Sequence, residues 1–205
     1  MQIANRLKKI PPYLFMELRN KIANARAEGI DVISLAIGDP IDPTPKPVID
    51  ELCKEAYNPD NHRYPTDEEK GMLAFRQAVA DWYAERYGVK VDPHNEVLAL
   101  IGSKEGCHHF VLACINPGDV VLMTDPGYPA YRASILMAGG EPYNIPLKEE
   151  NGFLPHFEDV PSAVAQKATG MFLNYPNNPT GAVANHRFFA KVVEFARSHE
   201  IAVCH

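Results

Sequence analysis

The chain has 205 residues, 46% of them hydrophobic and 22% charged. These are the proportions of a folded globular protein of one domain or one and a half, and they exclude disordered, collagen-like and low-complexity chains. Lys and Arg total 20 against 26 Asp and Glu, a net charge of −6, so no basic face for nucleic acid is expected. Proline is abundant at 18 residues, about 9% against an average near 5%, which points to many rigid, specified loops.

Arg6, Lys8 and Lys9 precede no apolar leader segment. The longest apolar run, Phe110 to Ile115, is far below the ~20 residues that span a bilayer. No membrane partner is expected. Cys53, Cys107, Cys114 and Cys204 form no C-x-x-C pair, so no metal is expected and free thiols fit a cytoplasmic location. His108 and His109 are adjacent and point about 100° apart on a helix, which argues against a metal pair.

In chain order, Leu14, Leu18, Ile22 and Ala25 draw one stripe on a helix ending at Gly29. A strand is expected over Val32–Ile37, then an extended Pro40–Pro47 stretch that marks the best internal boundary. Helices are expected over Val48–Tyr57 and from Met72 to a stop at Gly88, the latter with Phe75, Val79, Trp82 and Tyr83 on its apolar face. Val97–Ile101 reads as a fully apolar strand, Ser103–Cys114 as a helix and Val120–Met123 as a strand. Tyr131–Ala138 reads as a helix, Pro142–Leu147 as extended and Val160–Ala168 as a helix. Met171–Leu173, Phe188–Arg197 and Ile201–Cys204 complete the series as strand, helix and strand. This alternation predicts an α/β fold of three layers, a mainly parallel sheet with helices on both faces. In such folds ligands sit at the carboxyl ends of the strands. One residue follows Cys204, where a ligand-contacting residue would be expected, so a fragment of a longer protein stands as an open reading beside a whole chain.

Three strings at those strand ends carry chemistry. Gly102-Ser103-Lys104-Glu105 opens a helix, where free N–H groups, a hydroxyl and an ammonium suit a phosphate. The same Ser103 also reads as a plain helix cap. Asp125-Pro126-Gly127-Tyr128-Pro129 fixes an aromatic ring that is either a stacking surface or a half-buried turn residue. Asn174 to Gly181 contains two X-Pro bonds and a glycine, which specify one loop shape presenting asparagine side chains. Asn61-His62-Arg63-Tyr64-Pro65 lies in a loop where Arg63 or Tyr64 is within reach of a phosphate or simply exposed.

Together these strings resemble the N-terminal half of a class I/II aminotransferase, the fold-type-I enzymes that use pyridoxal 5′-phosphate. Asn177-Asn178-Pro179-Thr180-Gly181 carries most of the resemblance. Pro11 to Phe15, Ile37 to Pro40, His62 to Pro65, Gly102 to Glu105 and Asp125 to Pro129 look like the LL-diaminopimelate aminotransferase branch.

The resemblance implies that residues 1–45 form an N-terminal arm and part of a small domain, and 46–205 the first part of a cofactor-binding large domain. It implies that Ser103 and Lys104 hold the cofactor phosphate, Tyr128 stacks on the pyridine ring and Asn178 bonds its hydroxyl oxygen. It places Tyr64 on a phosphate across a homodimer interface. Tyr13 and Gly38 match substrate-contacting positions, with Lys104, Tyr128 and Asn178 also facing the substrate. The substrates implied are an amino acid and a 2-oxo acid.

The family's ring-pairing Asp would follow His205, and its Schiff-base Lys and carboxylate-binding Arg residues would come later. No catalytic residue is therefore expected in this chain, which alone is expected to be inactive. Two other readings share this half: a fold-type-I lyase or decarboxylase, and a non-catalytic ligand-binding chain.

Overall fold

The structure is a computed structural model that describes residues 2–12, 14–36, 38, 41–64 and 71–205. The chain divides into two compact units, Pro12–Leu100 and Met1–Pro11 with Ile101–His205.

The Pro12–Leu100 unit is helical. It contains α1 (Leu14–Ala27), α2 (Lys46–Ala56) and α3 (Leu73–Tyr87). Pro47 sits in the first turn of α2, where its missing N–H costs nothing. The sequence reading needs two corrections here. No strand forms over residues 32–36, because Ile33 and Leu35 are 87% and 95% exposed and no described residue pairs with them. The 97–101 segment likewise has no partner strand among the described residues, and Leu98, Leu100 and Ile101 are exposed. The helix α3 ends at Gly88 as expected, but its apolar stripe is not covered among the described residues. Met72, Phe75, Trp82 and Tyr83 are exposed, whereas Arg76 and Ala80 are buried. Arg76 is buried because its guanidinium donates to the carbonyls of Gly71 and Pro93, which tie both flanks of α3 to it.

The second unit is the α/β layer structure. Its elements are α4 (Ser103–Cys114), β1 (Val120–Asp125), α5 (Ala130–Ala138), β2 (Glu141–Pro146), α6 (Ser162–Ala165), β3 (Ala168–Phe172), α7 (His186–Ser198) and β4 (Ala202–Cys204). The helix expected over Val160–Ala168 is only four residues long, since Ala168 is already drawn into β3. All pairings are parallel, in the order β2-β1-β3-β4.

Side chains alternate between the sheet's faces with period two. Val121 and Met123 of β1 and Phe172 of β3 pack with Cys107, Val111 and Ile135 of α4 and α5. Leu122 and Met171 face the other way, with Phe188, Val192 and Ala196 of α7. Those three lie at i, i+4 and i+8, the spacing of one helical stripe. Asn185 starts α7, its side chain accepting the Phe188 N–H at 3.0 Å. Thus both faces of the sheet are covered.

Candidate functional site

The strand order creates a crevice. From β1 the chain passes through α5 to β2 on one side; it then returns to β3 on the other side of β1 and runs through α7 to β4. α5 and α7 lie on opposite faces. The segments leaving the carboxyl ends of neighbouring strands β1 and β3 therefore diverge. In parallel sheets, ligands bind at such a switch point. The segment after β1 carries Tyr128, and the segment after β3 carries Asn178.

Beside this crevice is the first turn of α4. Gly102, not Ser103, is the helix N-cap, with φ 83° and ψ 158°. That backbone is open to glycine and hostile to residues with a Cβ. So the plain-cap reading of Ser103 fails: it is the first helical residue, exposed, and its hydroxyl has no partner among the described residues. No side chain caps α4; the Glu105 carboxylate instead accepts the N–H of Ile101, the residue before the cap. The first-turn N–H groups point out of the helix with its positive dipole end.

The Lys104 Nζ lies 6.0 Å from the centre of the Tyr128 ring. That ring meets Tyr131 edge to face, with centroids 5.6 Å apart. Tyr131 in turn stacks on Phe172 at 4.4 Å and 10°. Phe172 ends β3, so the aromatic series reaches from the sheet to the crevice. Gly127 sits where a Cβ would lie 2.3 Å from the Thr124 carbonyl oxygen, and only glycine lets the loop fold so tightly onto β1. The Asp125–Pro126 bond is cis.

The loop after β3 is built around Asn177. Its side-chain amide donates to Thr180 Oγ1 at 2.9 Å, its N–H donates to Ala182 O at 2.8 Å, and its carbonyl accepts from Gly181 at 2.7 Å. Asn174 Oδ1 accepts the Asn178 N–H at 2.9 Å. Asn178 is thereby fixed by its backbone while its side chain stays exposed and unbonded among the described residues. Asn177 Oδ1 and Thr124 Oγ1 are buried without partners.

Ser103, Lys104, Tyr128 and Asn178 thus belong to one unit and one crevice. Gly38 and Tyr64 belong to the other unit, and Tyr13 lies outside the described residues. Gly38 is exposed, with open space where a Cβ would go. Tyr64 is exposed after a 3₁₀ turn, Pro59–His62, that is tied to the end of α2. Asn61 donates to Glu55 O at 3.0 Å, and the His62 ring bonds Ala56 O at 2.9 Å.

Sequence reasoning missed the supporting residues Tyr131, Asn174 and Asn177. Of these, Asn174 and Asn177 stood within a string already singled out, while Tyr131 gave no signal outside its helix.

The Tyr131 hydroxyl is pushed up to about 12, chiefly by burial, so the ring stays neutral. Burial also pushes the Cys204 thiol up to about 11. Beyond β4, His205 Nε2 accepts the Tyr175 N–H at 3.2 Å, and desolvation lowers the pKa of that imidazole. Among the described residues, no group of three or more His, Cys, Asp or Glu is placed to hold a metal ion. No helix among them is long and apolar enough to cross a membrane.

A three-layer parallel α/β protein with oriented anion donors beside a flat ring, at its switch point, is the class that fold and site define. The family model for aminotransferase class I and II matches residues 30–205, and the chain belongs to that family. It is 60% identical, over its whole length, to the LL-diaminopimelate aminotransferase of Moorella thermoacetica and covers 52% of that protein. It is 54% identical to that of Desulforudis audaxviator, over 98% of this chain and 51% of the relative. A substrate-bound structure of BacF from Bacillus subtilis superposes with a TM-score of 0.90 at 40% identity, over 99% of this chain and 51% of that one. The chain spans about half the length of the curated relatives it matches.

Proposed function

We propose that the complete protein is a pyridoxal-5′-phosphate-dependent aminotransferase that exchanges the amino group of an amino acid with the oxo group of a 2-oxo acid. LL-Diaminopimelate is the proposed amino donor or product. The observation that carries this reading is the pairing of Lys104 with the Tyr128 ring beside the unbonded Ser103 hydroxyl at the start of α4.

The donor set fits the cofactor. A dianionic phosphate needs oriented N–H and O–H donors and a cation, which the first turn of α4 supplies through Ser103 and Lys104. The pyridine ring needs a flat apolar surface, which Tyr128 supplies, backed by Tyr131. The exposed Asn178 amide is free to donate to the ring's hydroxyl oxygen. When bound, the cofactor supplies the electron sink for charge at the amino acid's α-carbon.

Tyr64 is assigned to the phosphate of the second site of a homodimer, and Tyr13 and Gly38 to the substrate side. In this reading residues 1–45 belong to the N-terminal arm and small domain, and 46–205 open the large domain. The proton-moving lysine lies beyond His205, the 205-residue chain alone is inactive, and the enzyme works in the cytoplasm. The names of the relatives support the substrate assignment.

The test is to supply the complete protein with the cofactor, LL-diaminopimelate and a 2-oxo acid. Amino transfer to the oxo acid is expected. Cofactor binding with release of carbon dioxide or ammonia instead would favour a lyase or decarboxylase. Failure to bind the cofactor at all would overturn the reading.

A further inference from the structure

The loop that carries Tyr128 is bracketed by two charged residues. Asp125 ends β1 just before it, and Arg132 stands in the first turn of α5 just after it. They do not bond each other. Both bond Asn144, on the neighbouring strand β2. Arg132 Nη2 donates to Asn144 Oδ1 at 2.6 Å, and Asn144 Nδ2 donates to Asp125 Oδ2 at 2.7 Å. Asn144 sits opposite Met123 in the parallel register, two residues before Asp125. Among the described residues these are the only side-chain hydrogen bonds to the loop's two flanks.

The chemistry admits one orientation. A guanidinium only donates and an ionised carboxylate only accepts. The amide must therefore turn its oxygen to Arg132 and its nitrogen to Asp125. Both bonds are charge-assisted, and so short and directional. A neutral side chain with an acceptor at one end and a donor at the other is what this position requires. Leu has neither end, and a carboxylate at 144 would repel Asp125.

Resting on the proposed function, we infer that Asn144 is a positioning residue for Tyr128, clamping both ends of its loop through Asp125 and Arg132. The clamp touches no cofactor. It acts by keeping the Tyr128 ring in place before binding, so less ordering is required when the cofactor arrives.

The test is a double-mutant cycle in the complete protein, reading pyridoxal phosphate affinity on the folded fraction. Asn144→Leu is expected to weaken affinity up to about tenfold in the wild-type background, the loss expected when a side chain must be ordered on binding. In a Tyr128→Ala background the same change is expected to cost less than about twofold. Equal losses in both backgrounds, or no loss in the first, would overturn the clamp. If Tyr128→Ala alone leaves affinity unchanged, the proposed function falls and the clamp with it, so the two failures are distinguishable.

A second variant set guards against misfolding of Asn144→Leu. The swap Asp125→Asn with Asn144→Asp keeps one carboxylate and one amide, so Arg132 and the new amide both donate to the carboxylate at 144. It is expected to recover affinity to within about threefold of wild type, whereas Asn144→Asp alone loses it. A swap no better than the single change would refute the clamp.

Discussion

The Lys104 ammonium stands 6.0 Å from the centre of the Tyr128 ring, at the outer edge of the range in which a cation is attracted to an aromatic face. Lys104 comes from the first turn of α4, and Tyr128 from the loop after β1. Their approach sets the anion donors of one element beside the flat surface of the other. Neither feature alone selects a ligand, but the two together suit a molecule with a ring at one end and a phosphate at the other.

The first prediction separates the ring from the phosphate. Gly102 is the N-cap of α4, so Ser103→Ala should not cost the ~1 kcal/mol that loss of a cap brings. Its unfolding free energy from denaturant titration should stay within about 0.5 kcal/mol of wild type. The lost hydroxyl should instead remove a hydrogen bond to a charged group, about 1.5–3 kcal/mol. At 1.4 kcal/mol per tenfold, affinity for pyridoxal phosphate should fall by about one to two powers of ten. Affinity for pyridoxal, which has no phosphate, should hardly change. Equal losses for both ligands would show that Ser103 does not contact the phosphate.

The second prediction concerns Gly127. A Cβ there would lie 2.3 Å from the Thr124 carbonyl oxygen and 3.1 Å from its Oγ1. The nearest obstacle is backbone in a sheet strand, which cannot swing aside. Gly127→Ala should therefore displace the loop and destabilise the complete protein by about 1–3 kcal/mol, the usual cost of overpacking. Calorimetry should show a lower Tm, and the folded fraction should bind the cofactor more weakly. An unchanged Tm would mean that the loop has room the structure does not show.

Much of this arrangement was legible in the sequence. The longer helices of the α/β unit follow from period-3.6 apolar patterns and its strands from short apolar runs buried on both faces, because the residues that make the pattern bury their side chains within that same unit. The pattern failed where the partner is missing among the described residues. Val97–Ile101 is as apolar as β1, but a strand exists only when another strand completes its hydrogen bonds. The α3 stripe forms but is not covered among the described residues, while Arg76 is buried through carbonyl partners that no hydropathy scale reveals. Ser103 and Tyr128 could be found because glycine and proline around them mark special backbone. Asn144 could not, since its role depends on Asp125 and Arg132 meeting it across a parallel pairing that sequence does not specify.

The third prediction concerns thiol reactivity. Burial pushes the Cys204 thiol up to about 11 and raises that of Cys107. Only the thiolate reacts with alkylating agents. At pH 8 about one Cys204 in a thousand would be ionised, given one power of ten per pH unit. Iodoacetamide at pH 8 should leave Cys107 and Cys204 unlabelled in the native protein and label both in denaturant, as read by peptide mass spectrometry. Rapid native labelling of Cys204 would contradict its half-buried place on β4, packed against the α4 side of the core.

The last prediction is a pH dependence with a definite sign. The Tyr175 N–H donates to His205 Nε2, which is possible only while that nitrogen carries no proton. Desolvation of the ring lowers its pKa below the ordinary value near 6.5. The unfolded chain therefore takes up this proton first as pH falls. Stability from this group is complete above about pH 6.5 and is lost as pH drops through the folded value. A glutamine at this position offers an acceptor oxygen with no titration. Denaturant unfolding of the complete protein at pH 8, 6 and 5 should show wild type losing stability more steeply than His205→Gln below pH 6.5, and the two running parallel above it. Parallel curves across the whole range would mean that His205 does not accept the Tyr175 N–H in solution.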